Sequence, residues 1–137
     1  MAGGIGQIKN ITLHHSASKL DTTAAQIEEA HLARGWEGVG YHFLVEASGR
    51  IVIGRPIHLQ GAHVRGRNYG NVGICAIGDN TVAGQEWRPA QLIALRELCH
   101  AITLICDLEM ADILGHREWE GARTLCPAID VSTVLGF

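Results

Sequence analysis

The run Val72-Gly73-Ile74-Cys75-Ala76-Ile77 constrains the fold more than any other part of the chain. Successive strand residues face opposite sides, and this run offers nothing polar on either. Such a strand belongs inside a sheet that is covered on both faces. The rest of the chain must therefore supply flanking strands and the layers that cover them.

It does so in short pieces. Residues 8–14 alternate as a strand and end at His14. Asp21-Thr22-Thr23 offers N-caps, and Gln26, three residues after Thr23, completes a capping-box pattern. A helix over residues 22–34 is expected, with Ile27, Ala30 and His31 on one face and a stop at Gly35. Residues 41–45 and 50–54 flank the turn Ala47-Ser48-Gly49 and read as a β-hairpin. Residues 61–70, GAHVRGRNYG, form a long glycine-rich loop. Pro89 opens the longest helix, with Leu92, Ile93, Leu95, Leu98, Ile102 and Ile105 at helical spacing. Residues 112–115 make a short strand that ends at His116. No repeat or linker interrupts the pattern. The expected fold is α/β: one domain spanning residues 1–137, with a central mixed β-sheet flanked by helices.

Composition excludes some functions. The chain is 47% hydrophobic and 18% charged, as a folded domain should be. Its net charge is −3 and it has no run of Lys and Arg, so no nucleic-acid partner is expected. The opening MAGGIGQIKN lacks the basic start and apolar core of a secretory signal peptide. No apolar run approaches the ~20 residues that span a bilayer, so no membrane insertion is expected. Of the four cysteines, Cys75, Cys99 and Cys106 read as core residues. Cys99 and Cys106 would stand about 10 Å apart on one helix face, too far for a disulfide.

Eight histidines leave more room for chemistry. His31 and His100 fall mid-helix and read as structural, and His58 has no visible partner. His14 and His116 each end a predicted strand, where side chains from distant parts of a sheet protein converge. Cys126 follows ten residues after His116, on a loop pinned by Pro127. Two imidazoles and a thiolate make a three-ligand set that leaves a fourth zinc position open. Separate structural roles for the three residues compete with that reading, and spacing alone does not decide between them. The stretch His116-Arg117-Glu118-Trp119-Glu120 fails the H-E-x-x-H pattern, which leaves Glu118 and Glu120 as loop charges.

Several segments taken in order supply what spacing lacks. They are Ile11-Thr12-Leu13-His14-His15-Ser16-Ala17-Ser18, Gly38-Val39-Gly40-Tyr41-His42-Phe43-Leu44-Val45, Gly61-Ala62-His63-Val64-Arg65-Gly66-Arg67-Asn68, Asn71-Val72-Gly73-Ile74-Cys75-Ala76-Ile77-Gly78, and Ile113-Leu114-Gly115-His116-Arg117-Glu118 leading to Thr124-Leu125-Cys126-Pro127. From about residue 8 to 131 the chain resembles the zinc-dependent N-acetylmuramoyl-L-alanine amidases. That family includes amidase-type phage lysozymes and shares its fold with peptidoglycan recognition proteins.

The resemblance implies one Zn2+ per chain, held by His14, His116 and Cys126. It implies that Tyr41 assists catalysis. Thr124 stands where phage relatives carry Lys and many recognition-protein amidases carry Thr, and is expected to be catalytic with Tyr41, adding a second hydrogen bond but not the positive charge of a lysine. His15 does not match a ligand position. His63 is either a proton relay or a loop histidine that contacts substrate or serves structure. Arg65, Arg67 and Asn68 either bind stem-peptide carboxylates or are solvated loop residues. The implied substrate is peptidoglycan, cut between N-acetylmuramic acid and the L-alanine of the stem peptide.

A monomeric phage or prophage endolysin is expected, held in the host bacterial cytoplasm until the membrane is perforated. Some phage lysozymes of this family also contact a phage RNA polymerase, a further role the resemblance brings with it. Two alternatives are a cytoplasmic wall-recycling amidase and a non-catalytic peptidoglycan-binding or sensing module. The second is disfavoured because all three ligand positions are filled.

Overall fold

The strand β4 (Asn71–Ala76) is buried at every position and lies third in a five-stranded sheet. Its neighbours are β1 (Asn10–His15) and β2 (Phe43–Val45), both parallel to it. Beyond β1 lies β5 (Ile113–Gly115), also parallel, and beyond β2 lies β3 (Ile51–Ile53), antiparallel. The order is β3-β2-β4-β1-β5, a mixed sheet with the apolar run at its centre. This computed structural model describes residues 3–136.

Helices cover the sheet. The first, α1 (Ala24–Ala33), starts where the sequence says it should. Thr23 is the N-cap, its side chain accepts the Gln26 N–H, and the Gln26 side chain accepts the Thr23 N–H. Its buried residues are Ala24 and His31, while Ile27 is half-buried and Ala30 is exposed. The expected inward face of Ile27, Ala30 and His31 is therefore only partly inward. The long helix α2 (Pro89–Cys106) buries Gln91, Ala94, Leu95, Cys99 and Ile102. Ile93 and Ile105, expected on the same stripe, are 55% and 82% exposed, because they fall outside that arc. Gln91 is a polar residue in the core. Its amide donates to the carbonyls of Val45 and Ile77 and so ties α2 to the ends of two strands. A short α3 (Val131–Leu135) completes the fold.

Two further expectations shift. The hairpin strands are three residues each, and Tyr41 and His42 precede β2 rather than belonging to it. One helix, α2, does reach the length and apolarity of a membrane span, with a mean hydropathy of 1.2 over 18 residues. Here it packs on the sheet through Leu95, Cys99 and Ile102.

The two sheet faces differ. Ile11, Leu13, Val72 and Ile74 belong to the main core with α2 and α3. The intervening residues face the other way: register pairs Thr12 with Gly73 and His14 with Cys75. This second face carries polar side chains and one missing side chain, and the candidate site is built on it.

Candidate metal centre

His14 is the penultimate residue of β1, which ends at His15 rather than at His14 as expected; it is buried on the face shared with Gly73 and Cys75. His116 opens a 3-10 turn, His116–Glu118, directly after β5. Because β5 pairs with β1, the two histidines arrive side by side, their ring centroids 4.8 Å apart. Cys126 comes from a loop whose position is fixed by main-chain bonds. The Arg117 N–H donates to the Cys126 carbonyl at 2.7 Å, and the His15 N–H donates to Cys126 Sγ at 3.3 Å. Gly115 lies so close to Pro127 that a Cβ there would stand 2.8 Å from the proline ring. One ligand atom from each of His14, His116 and Cys126 falls within 4.8 Å of the other two. His14 Nδ1 faces Cys126 Sγ at 3.7 Å. Donors on a tetrahedral zinc at ordinary bond lengths stand about 3.5 Å apart.

Electrostatics favour neutral, ligand-ready imidazoles. Burial holds His14 well below the usual histidine range, and His63 and His116 depress it further. Burial also lowers His116. The Cys126 thiol is pushed up to about 11 by burial, while the His15 N–H and the Arg117 charge pull it back down. A cation at this position would favour the thiolate over the thiol. Two imidazole nitrogens and one sulfur suit zinc, and three protein ligands leave a fourth tetrahedral position open.

The residues around the centre have definite partners. The Tyr41 ring lies 5.1 Å from that of His14 and 5.6 Å from that of His31. Its hydroxyl is raised well above the usual tyrosine range, chiefly by burial and then by Cys75, with which it is hydrogen-bonded, and by Cys126. Tyr41 is therefore a phenol at neutral pH, a donor rather than a base. Thr124 is exposed, and its hydroxyl accepts the Cys126 N–H at 3.1 Å, which steadies the loop. His15 lies outside the cluster: its Nδ1 accepts the Asn80 N–H at 3.2 Å and stands 3.8 Å from Asp79. Asn80 in turn donates to the Pro127 carbonyl.

The glycine-rich loop separates into two roles. Asn68 Oδ1 accepts the N–H groups of both His63 and Val64, so this side chain organises the loop. His63 turns inward: Nδ1 lies 2.9 Å from His14 Nε2, and Nε2 lies 2.9 Å from the Asn71 carbonyl. Neither ring nitrogen is left for a substrate. Arg65 and Arg67 are exposed, with the Arg67 guanidinium over the Trp119 ring at 6.0 Å. Two cavities meet at His116 and Arg65. One, about 430 Å³, is walled by Arg34, Trp36 and Tyr41; the other, about 560 Å³, by Trp119 and Arg123.

Sequence reading missed these walls. Trp36 and Trp119 in glycine-bearing loops were the available signal, since an aromatic in a loop has no core to join. It also treated Glu118 as a free charge, whereas its carboxylate accepts the Gly115 N–H at 2.8 Å and closes the turn that carries His116.

Comparison with known proteins agrees with this geometry. The profile of the family described as N-acetylmuramoyl-L-alanine amidase matches residues 5–129. The endolysin of Escherichia phage T7 is 32% identical over 126 residues, covering 88% of this chain and 81% of that protein. The solved structure of the endolysin N-acetylmuramoyl-L-alanine amidase LysCS from Clostridium intestinale superposes with a TM-score of 0.82 at 28% identity, over 95% of this chain and 81% of that one. Peptidoglycan recognition protein SD of Drosophila shares the fold, with a TM-score of 0.79 at 21% identity, over 93% of this chain and 79% of that one.

Proposed function

The chain belongs to the N-acetylmuramoyl-L-alanine amidase family, and on that premise we propose a phage-type endolysin whose zinc centre is His14, His116 and Cys126. It hydrolyses the amide between the lactyl group of N-acetylmuramic acid and the L-alanine that begins the stem peptide. Peptidoglycan is the macromolecule it acts on. In this reading it accumulates in the host cytoplasm and meets the wall once the membrane is breached.

One observation carries the metal assignment. Three side chains from the ends of two strands and a clamped loop converge, and one of them, His116, lines both open cavities. Zinc held there would supply a Lewis acid that activates water and polarises a carbonyl. His14 and His116 contribute neutral nitrogens, and the His15 N–H lowers the cost of negative charge on Cys126. Tyr41, kept protonated by its surroundings, donates to the scissile carbonyl oxygen as negative charge develops on it. Arg65 binds a stem-peptide carboxylate in this reading, which its position in the lining of both cavities supports. Thr124 accepts the Cys126 N–H, and its exposed hydroxyl keeps a proton to donate as the second hydrogen bond to the reacting group.

Chelation tests the metal directly. Protein stripped of metal is expected to lose wall-lytic activity and to regain it when one equivalent of zinc is returned; lysis that survives stripping refutes the zinc reading. A second prediction concerns the phenol. Tyr41→Phe keeps the ring against His14 and removes only the donor, so zinc content should be unchanged while turnover falls by roughly 100-fold. Full turnover in this variant removes the hydroxyl from the mechanism.

A further inference from the structure

We propose that His63 is a positioning residue that holds His14 in the one tautomer able to offer Nδ1 to a metal. This rests on the zinc reading above and adds to it a residue from outside the ligand set.

Asn71, His63 and His14 form a chain of hydrogen bonds whose directions are forced. The Asn71 carbonyl can only accept, so His63 Nε2, 2.9 Å away, carries a proton. In a neutral His63 ring Nδ1 is then bare. It lies 2.9 Å from His14 Nε2, which must therefore be the donor. A neutral His14 protonated on Nε2 has a bare Nδ1, and Nδ1 is the atom that faces Cys126 Sγ. Reversing the His14 tautomer would put a proton where the ligand lone pair is needed and set two bare nitrogens against each other. The order Asn71 to His63 to His14 is thus the carbonyl–imidazole relay by which buried second partners orient metal-binding histidines.

The fold is shaped around this ring. At Gly73, which pairs with Thr12 on the sheet face that also carries His14, an added Cβ would stand 2.6 Å from the His63 ring. At Gly61 it would stand 2.7 Å from the same ring. Only glycine at position 73 lets an imidazole lie on the strand next to His14. The acceptor is fixed as well: the Asn71 side chain donates to the Arg67 carbonyl and accepts from the Thr12 hydroxyl, which itself accepts from Trp119 Nε1. The loop end is held by Asn68, which takes the His63 N–H.

The test compares two substitutions and one spectrum. His63→Leu keeps bulk and removes both bonds; His63→Gln keeps one acceptor and one donor on a planar head. Zinc affinity, measured by competition with a chromophoric chelator, is expected to fall about 10- to 100-fold in His63→Leu and to return to within about 5-fold of the parent in His63→Gln. Gly73→Ala, which displaces the ring without touching a ligand, should resemble His63→Leu. In the metal-free parent protein, nitrogen NMR should show His14 protonated on Nε2, with a scalar coupling across the hydrogen bond to His63 Nδ1.

Unchanged affinity in His63→Leu, or equal losses in the leucine and glutamine variants, overturns the proposal, as does a His14 proton on Nδ1. If the parent itself takes up no zinc, the metal reading fails, while the coupling between the two rings still decides the tautomer.

Discussion

Cys126→Ala is expected to abolish zinc binding and wall lysis together while leaving the fold intact. The sulfur is the one anionic donor in the set, and two neutral imidazoles hold a divalent cation poorly without it. Residues that merely orient ligands cost roughly 10- to 100-fold in metal affinity when removed, so loss of a ligand should exceed about 100-fold. The loop should survive. Only the His15 N–H bond to Sγ is lost; the Arg117 N–H to the residue 126 carbonyl, Asn80 to the Pro127 carbonyl, and Pro127 against Gly115 do not use the sulfur. Metal content per folded chain, read beside circular dichroism, checks the outcome. A variant that retains one zinc removes Cys126 from the ligand set.

The second large effect is a contrast between neighbours. His14→Ala should empty the metal site and abolish lysis, because it removes both a ligand and the partner of His63. His15→Ala should keep zinc and most activity. What His15 gives the centre is its main-chain N–H to Cys126 Sγ, and alanine retains that group. Its ring accepts the Asn80 N–H, so the substitution should cost stability instead, about 1–2 kcal/mol for a buried donor left unpaired. The loss should appear as a lower unfolding midpoint in denaturant. Equal zinc loss in both variants would mean that the strand does not separate the two side chains as described.

The pair His14-His15 also shows how far the sequence could be read. The period of two in a strand sends neighbours to opposite faces, and this is enough to predict that the two histidines serve different purposes. The apolar run at residues 72–77, the capping box at Thr23 and strands that finish within one residue of His14 and His116 were legible for the same reason: each is a local rule acting on adjacent residues. Convergence of His14 with Cys126, 112 positions apart, is not local. It follows from β1 pairing with both β4 and β5, and it became legible only through resemblance to a family.

His63 marks the other limit. In sequence it is a polar residue of an exposed-looking loop. Only the register that sets Gly73 opposite Thr12, on the face that carries His14, reveals a slot for its ring. Gln91 illustrates the same limit: only the carbonyls of Val45 and Ile77 explain a buried amide there. Side-chain satisfaction depends on which distant backbone groups lack partners, and no local pattern encodes that.

The central claim is that a zinc centre built from His14, His116 and Cys126 cuts the bond between glycan and stem peptide. The most direct test is mass spectrometry of the products released from purified peptidoglycan by zinc-loaded and by metal-stripped protein. Zinc-loaded protein should release free peptides beginning with L-alanine and leave the glycan chains intact, and stripped protein should release nothing. Muropeptide fragments with their stems still attached, cleavage within the stem, or the same products from stripped protein would contradict the account.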